Sequence, residues 1–186
     1  MGNARKASAY SKKIPVVNTR KSKILQKSYV KTIPPQKVVK FNIGDVKKFE
    51  SGEFKIKASI SAGEDIQIRD MALEAVRQGL NKDLTETFQN NFFMRVNVYP
   101  HNILRNNRVF SGASKGERVQ TGMSKSFGSS EGRAAVIKMN QPIFSIYFNG
   151  EENIHKLRIF FKKVTPKLAC KSIIKFEKLF SFSFIS

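Results

Sequence analysis

Tryptophan is absent from the 186 residues, cysteine occurs once, histidine twice, and acids number 14 against 34 lysines and arginines. Each shortage excludes something. A lone cysteine, Cys170, closes no internal disulfide and builds no cysteine-based zinc site. It fits a reducing compartment, as a small, buried or half-buried apolar residue. His101 and His155 are more than fifty residues apart, and neither has a His, Cys or carboxylate at ligand spacing. No serine sits in a nucleophile elbow and no Gly-rich loop ends in Gly-Lys-Ser/Thr. Gly112-Ala113-Ser114-Lys115-Gly116 lacks the spacing of a phosphate loop. Apolar runs such as 142–148 and 157–161 are far shorter than the roughly 20 residues of a membrane helix, and no apolar stretch follows the basic N-terminus as in a secretory signal. The expectation is a cytoplasmic protein that is no enzyme, binds no membrane, and holds no metal or cofactor of its own.

Positive charge is what the chain has in excess. Its net charge is +20 at pH 7, and that much like charge on a compact body is relieved by an anionic partner. The distribution is uneven. Residues 1–40 carry 11 Lys/Arg and no acid, with few large apolar side chains. Such a segment buries too little to offset its ordering entropy, so it reads as an extended basic arm that orders against a partner.

The middle of the chain, 41–178, patterns as one domain of strands and two helices, followed by a Phe-rich tail over 179–186. Strands are predicted over 38–42 and 54–61, where Phe54, Ile56, Ala58 and Ile60 alternate with Lys55, Lys57 and Ser59. Glu64-Asp65 predict a helix start, since acids favour a first turn. Leu73, Val76, Leu80 and Leu84 then form an apolar stripe. The stretch 64–86 has six acids and three bases, so its outer face is expected to turn away from the anionic partner. Residues 92–99 read as a strand, 133–139 and 143–148 as a hairpin, and 172–176 as a last strand. After Gly150 a second helix is predicted, with Ile154, Leu157, Phe161, Val164 and Leu168 on one face and Lys156, Lys163 and Lys167 on the other.

The loop over 101–132 is unusually long for a compact domain, which marks it as functional or disordered. It holds five glycines, and between His101 and Lys138 stand Arg105, Arg108, Lys115, Arg118, Lys125 and Arg133 against two acids, Glu117 and Glu131. Arginine forks match phosphate oxygens and stack on bases, and glycines permit close backbone approach. Phe110 and Phe127 add stacking surface.

Two blocks in this region carry a family resemblance. Tyr99-Pro100-His101-Asn102-Ile103-Leu104-Arg105 resembles a tyrosine-proline-histidine-histidine-valine-leucine-arginine stretch. Gly116-Glu117-Arg118-Val119-Gln120-Thr121-Gly122-Met123, followed by Phe127-Gly128, resembles a second stretch of the same family, in order and at matching spacing. The family is the large-subunit ribosomal protein called L-ten-e in archaea and L-sixteen in bacteria. Weaker similarity spans about 5–178 and includes Phe41-Asn42-Ile43-Gly44 and Met71-Ala72-Leu73-Glu74-Ala75. The long arm favours the archaeal and eukaryotic branch. The sequence departs from the pattern at Asn102, in place of a second histidine, and at Ser124, in place of an arginine. The Lys-rich final third and the Phe-rich end are also atypical.

The resemblance implies an α+β domain, a twisted, mostly antiparallel or mixed sheet with two helices. It implies a structural constituent of the large ribosomal subunit that binds large-subunit rRNA beside neighbouring ribosomal proteins and is not a homo-oligomer. It implies a place between the central protuberance and the stalk base. The long loop would point toward the peptidyl-transferase centre and A-site tRNA, with magnesium present only through rRNA. The implied loop contacts are Arg105, Arg108, Lys115, Arg118, Lys125 and Arg133. The arm contacts are Arg5, Lys12, Lys13, Arg20, Lys21 and Lys23. The competing readings are a non-ribosomal RNA- or DNA-binding module and an RNA-modifying enzyme, which would need a cofactor loop or acid/base pair.

Overall fold

Alternating apolar positions and one strong helical stripe build two antiparallel sheets under two long helices. The computed structural model describes residues 8–11, 17–19, 30, 32–106 and 129–179. The larger sheet has the order β1-β4-β7-β2-β8, with β1 Asn42–Gly44, β2 Ile56–Ala62, β4 Phe92–Val96, β7 Pro142–Phe148 and β8 Ser172–Lys178. The smaller sheet has the order β3-β6-β5, with β3 Ile66–Arg69, β5 Asn102–Asn106 and β6 Ser129–Ile137. The helices are a single turn α1 (Ser8–Ser11), a short α2 (Val46–Glu50), α3 (Asp70–Phe88) and α4 (Asn153–Leu168). The fold class is α+β, as expected.

Both long helices bury the stripes read from the sequence. Leu73, Val76, Leu80 and Leu84 of α3 and Leu157, Phe161, Val164 and Leu168 of α4 are buried. They join Ile56, Ala58, Ile60, Met94, Phe144, Ile146 and Phe148 in one core. Each fully buried Leu or Phe contributes roughly 1.5–3 kcal/mol, so the stripes hold the layers together. Gly44 marks the tightest backbone approach. Its φ is +99°, and a Cβ there would lie 2.1 Å from the Phe92 carbonyl oxygen.

Several expectations need correction. The helix does not begin at Glu64-Asp65. Those residues turn the chain from β2 into β3, and α3 begins at Asp70. The Ile66-Gln67-Ile68-Arg69 alternation is only four residues long and was masked by the acids before it. Residues 133–139 and 143–148 do not pair as a hairpin. β6 pairs with β3 and β5, whereas β7 pairs with β2 and β4. The chain changes sheets at 138–141, where Asn140 has φ +63°. This crossing is tied to the β2–β3 crossing: Asn140 donates its N–H to the Ala62 carbonyl at 2.8 Å, and Met139 donates its N–H to Asp65 Oδ1 at 2.6 Å. The strand expected over 92–99 ends at Val96, and residues 38–40, expected to open a strand, have no ladder partner before β1.

Residues 32–40, read from the sequence as the end of the arm, lie on the body as a strap. Val38 is in the core. Lys37 donates its N–H to Asp70 Oδ2 at 3.2 Å, and Val39 donates its N–H to Glu74 Oε2 at 3.3 Å. Asp70 and Glu74 therefore do not belong to an outward acidic face; they are 2% and 9% exposed.

Candidate RNA interface

Both ends of the loop read over 101–132 are strand instead: Asn102–Asn106 and residues 129–132 belong to β5 and β6, which pair as its two stems. The register sets Arg105 opposite Ser130, with an irregularity between Leu104 and Arg105. An irregularity of this kind re-aims a side chain at the end of a ladder. Arg105 is half-buried and engaged within the protein. Arg133 is also half-buried. Its Nε donates to the Pro34 carbonyl at 2.7 Å, and its Nη1 donates to Tyr99 Oη at 3.1 Å. Tyr99 is exposed and stacks on Phe41 with ring centroids 5.7 Å apart. Arg133 thus clamps the strap, the tyrosine of the first matched block and β6 at the foot of the loop. Ser130 adds a bond to the Thr32 carbonyl at 2.8 Å.

The opposite face of this sheet receives the arm. Asn102, in the position where the sequence departs from the family pattern, is 1% exposed. Its Oδ1 accepts the Asn18 N–H at 2.9 Å and its Nδ2 donates to Gln67 Oε1. Ile103 donates its N–H to the Asn18 carbonyl at 3.0 Å. Further back, Tyr10 Oη donates to Glu131 Oε2 at 2.9 Å, Gln67 Nε2 donates to the Tyr10 carbonyl at 3.1 Å, and the Arg69 guanidinium lies 4.6 Å over the Tyr10 ring. The described parts of the arm are therefore anchored at the stems of the loop. Buried amides must be hydrogen-bonded to avoid a cost of about 1–3 kcal/mol each, and Asn102 meets that need with the arm itself.

Of the candidate contact residues, the structure brings Arg105 and Arg133 together on neighbouring strands at the loop base. Arg108, Lys115, Arg118 and Lys125 of the loop lie outside the described residues, as do Arg5, Lys12, Lys13, Arg20, Lys21 and Lys23 of the arm. The anchoring residues Asn18, Gln67 and Glu131 were not singled out from the sequence. Only the departure at Asn102 hinted that this position has a different partner.

Most of the described acids are committed within the protein. Glu74 accepts two bonds from Arg77, Nε at 2.7 Å and Nη2 at 2.5 Å, and a third from Gln78 Nε2 at 3.0 Å. The Arg77 guanidinium holds the Glu74 carboxyl below the usual range, with Gln78 and the Val39 N–H acting in the same direction against burial. Burial moves Asp70 the other way, upward, although the Met71 and Lys37 amides oppose it. Asp83 pairs with Lys163 at 3.5 Å, Glu177 with Lys57 at 2.8 Å and Glu151 with Lys178 at 2.6 Å. Glu64 accepts the Lys171 N–H at 3.4 Å. Burial, with the nearby Glu64 charge, pushes the Cys170 thiol up to about 11, so it stays protonated and unreactive at neutral pH. Among the described residues no cluster of three or more His, Cys, Asp or Glu could hold a metal, and no helix is long and apolar enough to cross a membrane.

Comparison with known proteins agrees with the two matched blocks. Residues 16–175 match the family described as ribosomal protein L16p/L10e. The chain is 37% identical over 133 residues to the large ribosomal subunit protein uL16 of Methanospirillum hungatei, covering 71% of this chain and 75% of that protein. It is 33% identical over 158 residues to the protein of the same name from Nanoarchaeum equitans, covering 84% of each. The corresponding Methanococcus maripaludis protein is 35% identical over 152 residues, covering 80% of this chain and 84% of the relative.

Proposed function

Because the chain belongs to the ribosomal protein L16p/L10e family, and is thereby a structural constituent of the large ribosomal subunit rather than an enzyme, we propose that it binds large-subunit rRNA through its arm and body and helps position A-site tRNA with its long loop. The observation that carries this reading is electrostatic. A net charge of +20 accompanies acids that are largely occupied by amides, guanidinium and ammonium groups of the same chain, so the excess positive charge faces outward. A polyanion is the partner that relieves it. The loop supports the second half of the reading, because its stems are clamped by Arg133, Tyr99 and the strap. The clamped stems give this basic, glycine-rich segment a fixed origin. No cofactor is needed, and magnesium would arrive with the RNA.

The test separates anchoring from positioning. The full-length protein should co-sediment with large subunits and leave them only at high salt. A variant carrying Arg105→Ala and Arg118→Ala should still assemble, yet its subunits should form peptide bonds several-fold more slowly with A-site tRNA or stall in maturation. Normal rates in the variant subunits would overturn the role given to the loop. Failure of the wild-type protein to co-sediment would overturn rRNA binding.

A further inference from the structure

The outer face of α4 is a cationic surface with no acid between Asn153 and Leu168. At about 100° per residue, Arg158, Lys162, His155, Pro166, Ile159, Lys163, Lys156 and Lys167 occupy one continuous arc, opposite the buried Leu157, Phe161, Val164 and Leu168. Lys156, Arg158, Lys162 and Lys167 are exposed, and among the described residues no carboxylate lies within ion-pair distance of any of them. Lys163, at the edge toward α3, is the exception through Asp83. The cations form two rows, Arg158 and Lys162 on one side and Lys156, Lys163 and Lys167 on the other. Between them runs a ridge with no charge at Ile159, which is 45% exposed. The helix packs on α3 and β8, whereas the long loop springs from β5 and β6 in the other sheet.

We infer that this face of α4 is a second RNA-binding surface, which grips the two backbones of a double-helical RNA segment distinct from the one met by the loop. Two cationic rows flanking a neutral ridge match phosphate rims on either side of a groove, and A-form duplexes are recognised chiefly through shape and backbone. An anionic membrane fits less well. Membrane-surface helices bury an apolar face in the lipid, and the apolar face of α4 is already spent on the protein core. The inference rests on the RNA-binding reading above, and its consequence is that one chain bridges two RNA elements.

The experiment measures binding of the full chain to a generic 20-base-pair RNA duplex and to phosphatidylserine vesicles across a salt series. Each phosphate contact contributes about 0.7–0.9 to the slope of log K against log salt. Combining Lys156→Gln, Lys162→Gln and Lys167→Gln should lower the slope for duplex by roughly two, with the melting temperature unchanged, and the triple Lys→Arg variant should restore it. Should the triple Gln variant melt early, the three single variants carry the test, each lowering the slope by about 0.7–0.9. A steep wild-type slope that the Gln variants leave unchanged overturns the α4 surface while leaving the RNA reading intact. A wild-type slope near zero overturns that reading itself. Loss of vesicle binding in the variants, with the RNA slope unchanged, would assign the face to a membrane instead.

Discussion

Glu74 shows how a protein with so much positive charge uses the acids it has. The carboxylate takes the Arg77 fork, the Gln78 amide and the Val39 N–H, so one side chain ties α3 to the strap. Its proton affinity is lowered in the folded state, chiefly by Arg77. A depressed carboxyl stabilises the fold above its unfolded value, near 4.5, and that stability is lost as pH falls through the folded value. Glu74→Gln should therefore lower stability at pH 7 by about 1.5–3 kcal/mol, the scale of hydrogen bonds to charged groups. The difference from wild type should shrink below pH 4 in urea unfolding. Asp70 works against this trend because its raised proton affinity favours the fold at low pH. Equal losses at pH 7 and pH 3.5 would show that Glu74 acts through packing rather than charge.

At the scale of elements, the strap of residues 32–40 is the piece whose role changes most on folding. By composition it continues the basic arm, yet Val38 is buried and its neighbours cap Asp70 and Glu74. Pro34 and Thr32 offer their carbonyls to Arg133 and Ser130 at the loop stem. Removing residues 1–31 and removing residues 1–40 should thus have different consequences. The shorter truncation should keep a cooperative melt and lose affinity for rRNA. The longer one also removes the Lys37 and Val39 amides from two buried carboxylates and leaves a gap at Val38, and should cost several kcal/mol. Equal melting temperatures for the two truncations would remove the strap from the fold.

For the whole molecule the governing quantity is net charge. At +20 the free protein repels itself, and salt screens that repulsion over a Debye length of about 10 Å at 0.1 M. The melting temperature of the free protein should therefore rise by several degrees between 20 mM and 500 mM potassium chloride, while affinity for RNA falls over the same range. Calorimetry checks the first trend. A melting temperature that falls with salt would mean that internal ion pairs such as Glu151–Lys178 and Glu177–Lys57 outweigh the repulsion.

The sequence by itself determined the fold class, the two long helices with their buried stripes, β2, β7 and β8, the family and the excess of positive charge. These follow from local periodicity, from ordered motifs and from composition, none of which needs to know what lies across the core. Only the tertiary structure decided that there are two sheets rather than one, that Glu64-Asp65 make a turn, that β6 and β7 part company at Asn140, and that Asn102 meets Asn18. Each of these depends on pairing between residues distant along the chain. A strand as short as Ile66–Arg69 or a single amide such as Asn102 leaves almost no periodic trace. Its place is set by whichever hydrogen-bonding partner the packed layers bring to it.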